Sequence, residues 1–165
     1  MDKAKFYEMV ADESCVKVVS ALFQAIAYCE TVRSVIEPKQ KEVLAKHQFK
    51  IAPKWQERFE KRGFSYDKVI VDHSDLFLIA DEDFQVYLDE MDVFHREQGF
   101  DKPAKEYCPL LIAENLVRDV KKQVTDFLEP YTGISYDMVS YSLDSYRKYF
   151  DLIMGLFAPK VKPVL

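Results

Sequence analysis

The placement of proline and glycine is the feature that most constrains how this chain can fold. Only four glycines occur among the 165 residues, and most of the seven prolines stand where an amphipathic segment begins or ends. Glycine and proline are the strongest interrupters of regular secondary structure, so long stretches without them favour helices. Within those stretches apolar residues recur at the i, i+3, i+4 and i+7 spacing of a helix. The pattern predicts an all-α protein.

The helical spacing delimits a series of segments along the chain. The predicted helices span residues 3–11, a long segment from a cap within residues 12–14 to about residue 36, and residues 39–47, 54–62, 81–99, 109–129 and 137–157. Pro38 and Pro53 are expected to open the two short helices, and Pro130 is expected to stop the helix before it. Helices of this length joined by short loops are typical of an antiparallel bundle. We expect about five to seven helices in a single helical domain over residues 1–165.

Residues 68–80 fit two kinds of secondary structure. Two short apolar runs, residues 69–71 and 76–79, flank the polar residues 72–75, which is the pattern of a small β-hairpin. Alternatively, Ser74 caps a helix whose apolar stripe continues into the segment that follows. Short apolar runs are compatible with both structures, so the sequence leaves both open.

A basic block of the chain is followed by an acidic block. Residues 33–62 contain nine Lys and Arg against four Asp and Glu, whereas residues 69–95 contain eight Asp and Glu and neither Lys nor Arg. Opposite charges can set the register of a self-contact in which the basic block of one copy lies against the acidic block of another. The alternative interpretation of each block is a solvated helix face. The predicted interaction surface consists of Asp81, Glu82, Asp89, Glu90, Lys54, Arg58 and Lys61.

The overall charge bears on nucleic-acid binding. A formal net charge of −5 disfavours general attraction to phosphate chains. The two short basic helices are compatible with a helix-turn-helix, but Glu57 and Glu60 interrupt their basic face, and Trp55 and Phe59 are spaced to pack inward. We therefore expect no direct nucleic-acid binding. The acidic block suggests a third function, in which it imitates a phosphate chain and occupies a nucleic-acid-binding protein.

Charged and histidine residues on apolar helix faces are candidates for a ligand site inside the bundle. Arg33 has Glu30 and Glu37 at a spacing that allows ion pairs, and it either closes a partly buried ion network or grips an anionic ligand. His95 lies on the apolar stripe of the acidic helix, where Glu30 and Glu114 would complete a mononuclear metal site. The ligand site predicted for this alternative consists of Arg33, Glu30, Glu114 and His95.

Metal-ligand spacing gives little support to a bound metal. Ferritin-like di-iron proteins use two Glu-x-x-His pairs and two further glutamates. This chain contains no Glu-x-x-His and a single Asp-x-x-His, Asp92 to His95. A lone histidine on an apolar face is more often a core residue than a ligand. We expect neither a metal nor another cofactor.

Cysteine use and hydropathy indicate an intracellular protein. The three cysteines are an odd number, and Cys15 and Cys29 would lie about 21 Å apart on one helix, too far for a disulfide. The most apolar window, residues 15–29, is interrupted by polar residues and is too short to span a bilayer. We therefore expect a cytoplasmic protein with reduced thiols and no membrane segment.

The motifs of common enzymes are missing from the sequence. It contains no glycine-rich phosphate loop, no serine nucleophile elbow and no CxxC pair, which favours a protein without catalytic activity. The large aromatic share, 14%, suits an interface. The sequence thus predicts a small protein-interaction or self-associating module, with a protein partner or a second copy in a homodimer. The alternative is a helical-bundle enzyme or carrier that holds a metal or an anionic ligand between helices.

Overall fold

The computed structural model of the protein describes residues 2–64, 73–100, 104 and 108–161. In this part the chain forms seven α-helices and one 3-10 helix. The α-helices are α1 (Lys3–Ala11), α2 (Glu13–His47), α3 (Pro53–Glu60), α4 (Asp81–Glu97), α5 (Pro109–Thr132), α6 (Tyr136–Ser140) and α7 (Leu143–Phe157), and the 3-10 helix is His73–Leu78. The described residues contain no strand, only an isolated antiparallel bridge between Ile51 and Ile79. The predicted all-α class is confirmed, while the antiparallel bundle arrangement stays a prediction.

Two helices begin and end close to where the sequence predicts. α1 covers the predicted residues 3–11, and the Asp2 side chain caps it by accepting a hydrogen bond from the Ala4 backbone N–H at 3.3 Å. α4 begins at the predicted Asp81 with three acidic residues in its first turn, which suit the positive end of the helix dipole. Gly99, with φ +78°, follows its end and takes the left-handed conformation that glycine adopts without strain.

The prediction that the long helix ends at residue 36 is wrong. α2 runs from Glu13 to His47 with Pro38 inside it, so the segment 39–47 continues α2 and is not a separate helix. Proline removes one backbone hydrogen bond from a helix interior. Ile36 before it, and Val43 and Leu44 after it, are all buried in one apolar core. Burial of this shared stripe offsets the lost hydrogen bond.

The prediction that Pro130 stops its helix is also wrong. α5 continues to Thr132 and ends at Gly133, which has φ +66°. Pro130 removes the one hydrogen bond that its N–H would donate to the Asp126 carbonyl, and because only two helical residues follow it, the rest of α5 is unaffected. The final predicted helix over 137–157 is divided into α6 and α7. Ser142 causes the division, since its side chain caps α7 by accepting a hydrogen bond from the Ser145 backbone N–H at 3.4 Å.

The ambiguous segment 68–80 is described only in part, since residues 68–72 lie outside the described residues. Residues His73–Leu78 form the 3-10 helix, and Ile79 makes the bridge to Ile51. The backbone N–H of Ala52 donates a hydrogen bond to the carbonyl oxygen of Leu78 at 2.8 Å. The predicted hairpin is not confirmed, and the pairing of Ile79 is with a residue far earlier in the chain.

Contacts divide the chain into two compact units, each with its own apolar core. Unit 1 comprises Met1–Thr31 and Leu111–Leu165, and unit 2 comprises Val32–Leu110. The buried residues that form the apolar core of unit 1 are Met9, Cys15, Val19, Leu22, Val124, Leu128, Val139, Tyr149, Phe150, Ile153 and Phe157. Those of unit 2 are Ile36, Val43, Leu44, Phe49, Ile51, Leu78, Ile79, Tyr87, Leu88, Met91 and Leu110. The expectation of a single domain over residues 1–165 stays a prediction, and it can be tested by the cooperativity of unfolding.

α2 is longer than the apolar window in the sequence suggests. It has 35 residues and contains an apolar stretch long enough to cross a membrane, judged by length and composition only. Of the 18 residues in that stretch, 28% are buried inside the structure. The sequence argument that the window is too short does not apply to a helix of this length, so the absence of a membrane segment stays a prediction.

Candidate functional site

The start of α3 lies beside the start of α4 in unit 2. The N–H of Ala52 bonds to the carbonyl of Leu78 at 2.8 Å, and α3 begins at the next residue, Pro53. Three residues beyond Leu78, α4 begins at Asp81. The hydrogen bond therefore places the first turn of the basic helix next to the first turn of the acidic helix.

An aromatic pair, the exposed Phe77 and the partly buried Trp55, lies near these two helix starts. Phe77 is 63% exposed, and its ring packs edge-on against Trp55 with ring centres 5.3 Å apart. The guanidinium of Arg58 lies over the Trp55 ring, 5.3 Å from the ring centre. A large exposed ring that is held in place by a neighbour is available for contact at little cost in side-chain entropy.

Four charged residues near this aromatic pair are exposed and make no ion pair with another described residue. They are Lys54, Arg58, Asp81 and Glu82. We call these four residues together with Trp55 and Phe77 the α3–α4 surface.

The remaining predicted interaction residues have partners within their own chain. Lys61 pairs with Glu57 at 2.7 Å, and the Asp89 carboxylate accepts a hydrogen bond from Gln85 at 2.8 Å. Glu90 binds the Lys46 ammonium at 2.8 Å and also contacts the His47 ring nitrogen. Lys46 first, and then His47, hold the pKa of the Glu90 carboxyl below its usual value. These charges are less available to a partner than those of the α3–α4 surface.

Unit 2 also contains a cleft with mainly apolar walls, which we call the Gln40 cleft. Its empty volume is about 360 Å³ and is continuous with solvent. The apolar part of its wall is formed by Ile36, Leu76, Phe84, Leu88, Met91, Ala104 and Pro109. Gln40, Tyr87, His95 and Cys108 supply its polar groups. The described residues that line the cleft include no Lys, Arg, Asp or Glu.

Three of these polar side chains are almost completely buried. Gln40 is 2% exposed and donates a hydrogen bond from Nε2 to the Tyr87 hydroxyl at 3.1 Å. Burial raises the pKa of Tyr87, so the phenol stays protonated. His95 is 3% exposed and packs edge-on against Phe100, with ring centres 5.2 Å apart. Neither Oε1 of Gln40 nor Nδ1 of His95 has a hydrogen-bond partner among the described residues.

The four residues predicted for a ligand site are divided between the two units. Glu30 and Glu114 belong to unit 1, whereas Arg33 and His95 belong to unit 2. Glu30 is exposed, and Arg33 and Glu114 are partly buried. His95 is buried, in agreement with its place on an apolar stripe, and it lines the Gln40 cleft. Within the described ranges, no three His, Cys, Asp or Glu side chains are grouped so that they could hold a metal ion.

The sequence analysis did not identify Gln40 and Tyr87 as site residues. They are 47 positions apart in the chain, and their hydrogen bond depends on the packing of α2 against α4. The signal that was present is the position of a polar residue, Gln40, on the apolar stripe that includes Ile36 and Leu44. Comparison of the chain with protein-family models, with curated proteins and with solved structures gives no match. The function is therefore inferred from the geometry of the chain itself.

Proposed function

We propose that this protein is a non-catalytic interaction module that forms a homodimer through the α3–α4 surface. The observation that supports this proposal is the exposed Phe77 ring, which packs against Trp55 of the basic helix α3 and precedes the acidic helix α4 by a few residues. The two signs are close to each other yet make no ion pair with other described residues. A second copy carries the complementary charges in the arrangement needed to neutralise them.

A two-fold axis explains how one surface serves both copies. In a two-fold dimer the same patch is used twice, and each residue i that contacts residue j is matched by j contacting i. With Phe77 near the axis, Lys54 and Arg58 of one copy face Asp81 and Glu82 of its partner, and the reverse contact follows by symmetry. The aromatic ring forms the apolar centre, and the charges form a polar rim.

The contributions of the centre and the rim differ in size. Each exposed ion pair contributes roughly 0.2–1 kcal/mol and fixes orientation more than affinity. A buried aromatic anchor at the centre of an interface contributes about 2 kcal/mol or more. The dimer should therefore depend mainly on Phe77 for its affinity and on the charges for its register. Raising the salt concentration should weaken it, because salt screens exposed charges.

A charge-exchange experiment tests this geometry. The variant Lys54→Glu/Arg58→Glu makes the whole surface acidic, and the variant Asp81→Lys/Glu82→Lys makes it basic. Each variant alone should sediment as a monomer, because like charges would face each other across the axis. An equimolar mixture should form a heterodimer, since every contact then joins opposite charges. Sedimentation velocity at low and high salt measures these populations.

The matched control is Arg147→Glu/Lys148→Glu, which makes the same change in net charge at two exposed residues of α7 in unit 1. It should dimerise as the unaltered protein does. A protein that stays monomeric at high concentration would refute the proposed homodimer. A mixture of the two variants that stays monomeric while the unaltered protein dimerises would place the interface elsewhere.

A further inference from the structure

We propose that the Gln40 cleft binds a small, uncharged and largely apolar molecule that carries one group able both to donate and to accept a hydrogen bond, such as a primary amide. This proposal concerns a second site in unit 2 and does not depend on the homodimer. It is derived from the chemistry of the groups that line the cleft.

The first indication is the side chain of Gln40. A buried amide normally satisfies both its oxygen and its nitrogen, since an unpaired polar atom in an apolar environment is costly. Gln40 is 2% exposed, and only its Nε2 is paired, with the Tyr87 hydroxyl. If the amide oxygen and nitrogen were interchanged, the NH₂ group would be unpaired in place of Oε1. In both orientations Gln40 has one free hydrogen-bonding atom.

The second indication is that two further hydrogen-bonding groups line the same cleft. The Tyr87 oxygen accepts a hydrogen bond from Gln40, which leaves its own hydroxyl proton free to be donated. Nδ1 of His95 has no partner among the described residues, and it can donate or accept according to the tautomer. The cleft thus offers both acceptor and donor groups, which a ligand amide or hydroxyl can satisfy together.

The walls of the cleft determine what the rest of the ligand must be. Leu88, Met91 and Phe84 favour an apolar body, and ligand sites in proteins are typically apolar with a few placed polar groups. Among the described lining residues there is no Lys, Arg, Asp or Glu to neutralise an ionised ligand, so an ion would lose its hydration without compensation from them. The empty space of about 360 Å³ includes open solvent, so the enclosed part of the cleft is smaller and has room only for a small ligand. The ligand should therefore be small and neutral.

Benzamide is a suitable probe, with benzoate and toluene as matched controls of the same ring size. Titration of protein carrying ¹³C-labelled methionine methyl groups should show saturable shifts for Met91, which lines the cleft. Met138, which is exposed in unit 1, should not shift. Benzoate carries a charge and toluene lacks the polar group, so each should bind about tenfold or more weakly than benzamide.

The variant Gln40→Leu/Tyr87→Phe removes the polar pair while keeping side chains of similar size. It should weaken benzamide binding by about tenfold or more and leave the melting temperature unchanged or higher, because it also removes an unpaired buried atom. His95→Leu is a second, independent variant and should weaken binding in the same direction. The control is Tyr149→Phe, which removes another unpaired buried hydroxyl, in unit 1, and should leave benzamide binding unchanged.

Three results would overturn the proposal. Benzamide that causes no saturable shift of Met91 at millimolar concentration would show that the unpaired groups do not form a ligand site. Equal affinity for benzamide and benzoate would contradict the requirement for a neutral ligand. Unchanged binding to folded Gln40→Leu/Tyr87→Phe would remove the polar pair from the site. The variant Phe77→Ala lies outside the cleft lining, so loss of dimerisation in that variant with retained benzamide binding separates this site from the proposed interface.

Discussion

The two units of the protein differ in how fully they satisfy their polar groups. In unit 1, the hydroxyl of the wholly buried Thr125 donates to the backbone oxygen of Lys121 at 2.8 Å, and the Lys121 ammonium lies 4.7 Å from the centre of the Tyr146 ring. Burial lowers the pKa of Lys121, and the ring partly compensates for the lost hydration. Tyr149 carries the unpaired buried side-chain atom of this unit's described residues.

Unit 2 leaves more of its polar chemistry open. Gln40, Trp55 and His95 each have a buried side-chain atom without a partner among the described residues. The same unit exposes Phe77 near charged residues of both signs that make no ion pair with another described residue. Because folding normally satisfies buried polar groups, a concentration of unsatisfied groups in one region indicates where a ligand or a second molecule binds. Both proposed sites lie in unit 2.

The largest expected effect comes from cavities in the two cores. Leu128→Ala in unit 1 and Leu44→Ala in unit 2 each truncate a fully buried residue, and each should lower the free energy of unfolding by about 2–5 kcal/mol. The single tryptophan, Trp55, reports on unit 2 by fluorescence, and far-UV circular dichroism reports on all helices. If the chain is one domain, Leu128→Ala should lower the urea midpoint equally by both signals.

A Trp55 transition that Leu128→Ala does not move would contradict the single-domain prediction. The units would then unfold independently, and the comparison between them would become one between two domains. Leu44→Ala provides the internal check. It should lower the urea midpoint of the Trp55 signal whether the two units unfold together or independently, because Leu44 and Trp55 both belong to unit 2.

The next effect concerns the exposed aromatic rings of the two units. Phe77→Ala should weaken dimerisation by about 2 kcal/mol, roughly thirtyfold, because it removes the apolar centre of the proposed interface. The control is Tyr7→Ala in unit 1, where a ring of nearly equal exposure, 61%, also packs edge-on against a neighbouring ring, that of Phe6. Sedimentation equilibrium should show no change for Tyr7→Ala. Equal effects of the two variants would remove the distinction between the units.

A smaller effect should follow from the two prolines that lie inside helices. Pro38→Ala restores a backbone N–H well inside α2 and should raise the free energy of unfolding by about 1–2 kcal/mol. Pro130→Ala, two residues before the end of α5, should raise it by less than about 1 kcal/mol, because helix ends contribute less. Thermal denaturation of both variants measures the difference. A larger gain from Pro130→Ala would contradict this explanation.

The smallest effect is a change in acid stability in unit 1. The Asp12 carboxylate accepts hydrogen bonds from the Tyr131 hydroxyl at 2.8 Å and from the Ser14 N–H at 2.7 Å, which lower the pKa of Asp12 from its usual 3.8. A lowered folded-state pKa stabilises the fold above about pH 3.8, and this stabilisation is lost as the pH falls through the folded-state pKa. Tyr131→Phe should move the pKa of Asp12 back toward 3.8 and make stability less dependent on pH in this range.

Carboxyl ¹³C NMR titration of Asp12 checks this prediction directly. Tyr141→Phe is the matched control, because Tyr141 is 95% exposed and its removal should leave the Asp12 titration unchanged. An Asp12 pKa that stays the same in Tyr131→Phe would mean that the hydrogen bonds from Ser14 and Cys15 lower it without the Tyr131 hydroxyl. The difference between the two units in how fully they pair their polar groups would then depend only on the unpaired buried atoms of unit 2.

Local sequence patterns predicted the fold class well and the helix ends unevenly. The segment 3–11 and the start of α4 at Asp81 were predicted correctly, since the Asp2 cap of α1 and the acidic first turn of α4 each lie within a few residues of the apolar spacing. The breaks at Pro38 and Pro130 were predicted wrongly, because the cost of a proline was judged without the core that the neighbouring residues bury. The division between α6 and α7 was missed, although Ser142 was visible as a capping residue.

The candidate sites could be predicted less completely than the helices. His95 was expected to face a core because of its position on an apolar stripe, and it is buried. Lys61 and Glu90 were grouped with the other interaction residues, but the structure shows that each is paired within the chain. The pairing of Glu90 with Lys46 joins residues 44 positions apart, and no local pattern contains that information.

The sequence by itself determined that this protein is helical and that basic and acidic segments follow each other, because helix periodicity and charge are properties of neighbouring residues. Only the tertiary structure decided which polar groups lack partners. The hydrogen bonds between Ala52 and Leu78 and between Gln40 and Tyr87 join residues that are far apart in the chain. The same packing leaves the Phe77 side chain exposed. The free energy of such contacts depends on the whole core, which is why both proposed sites became visible only in the folded chain.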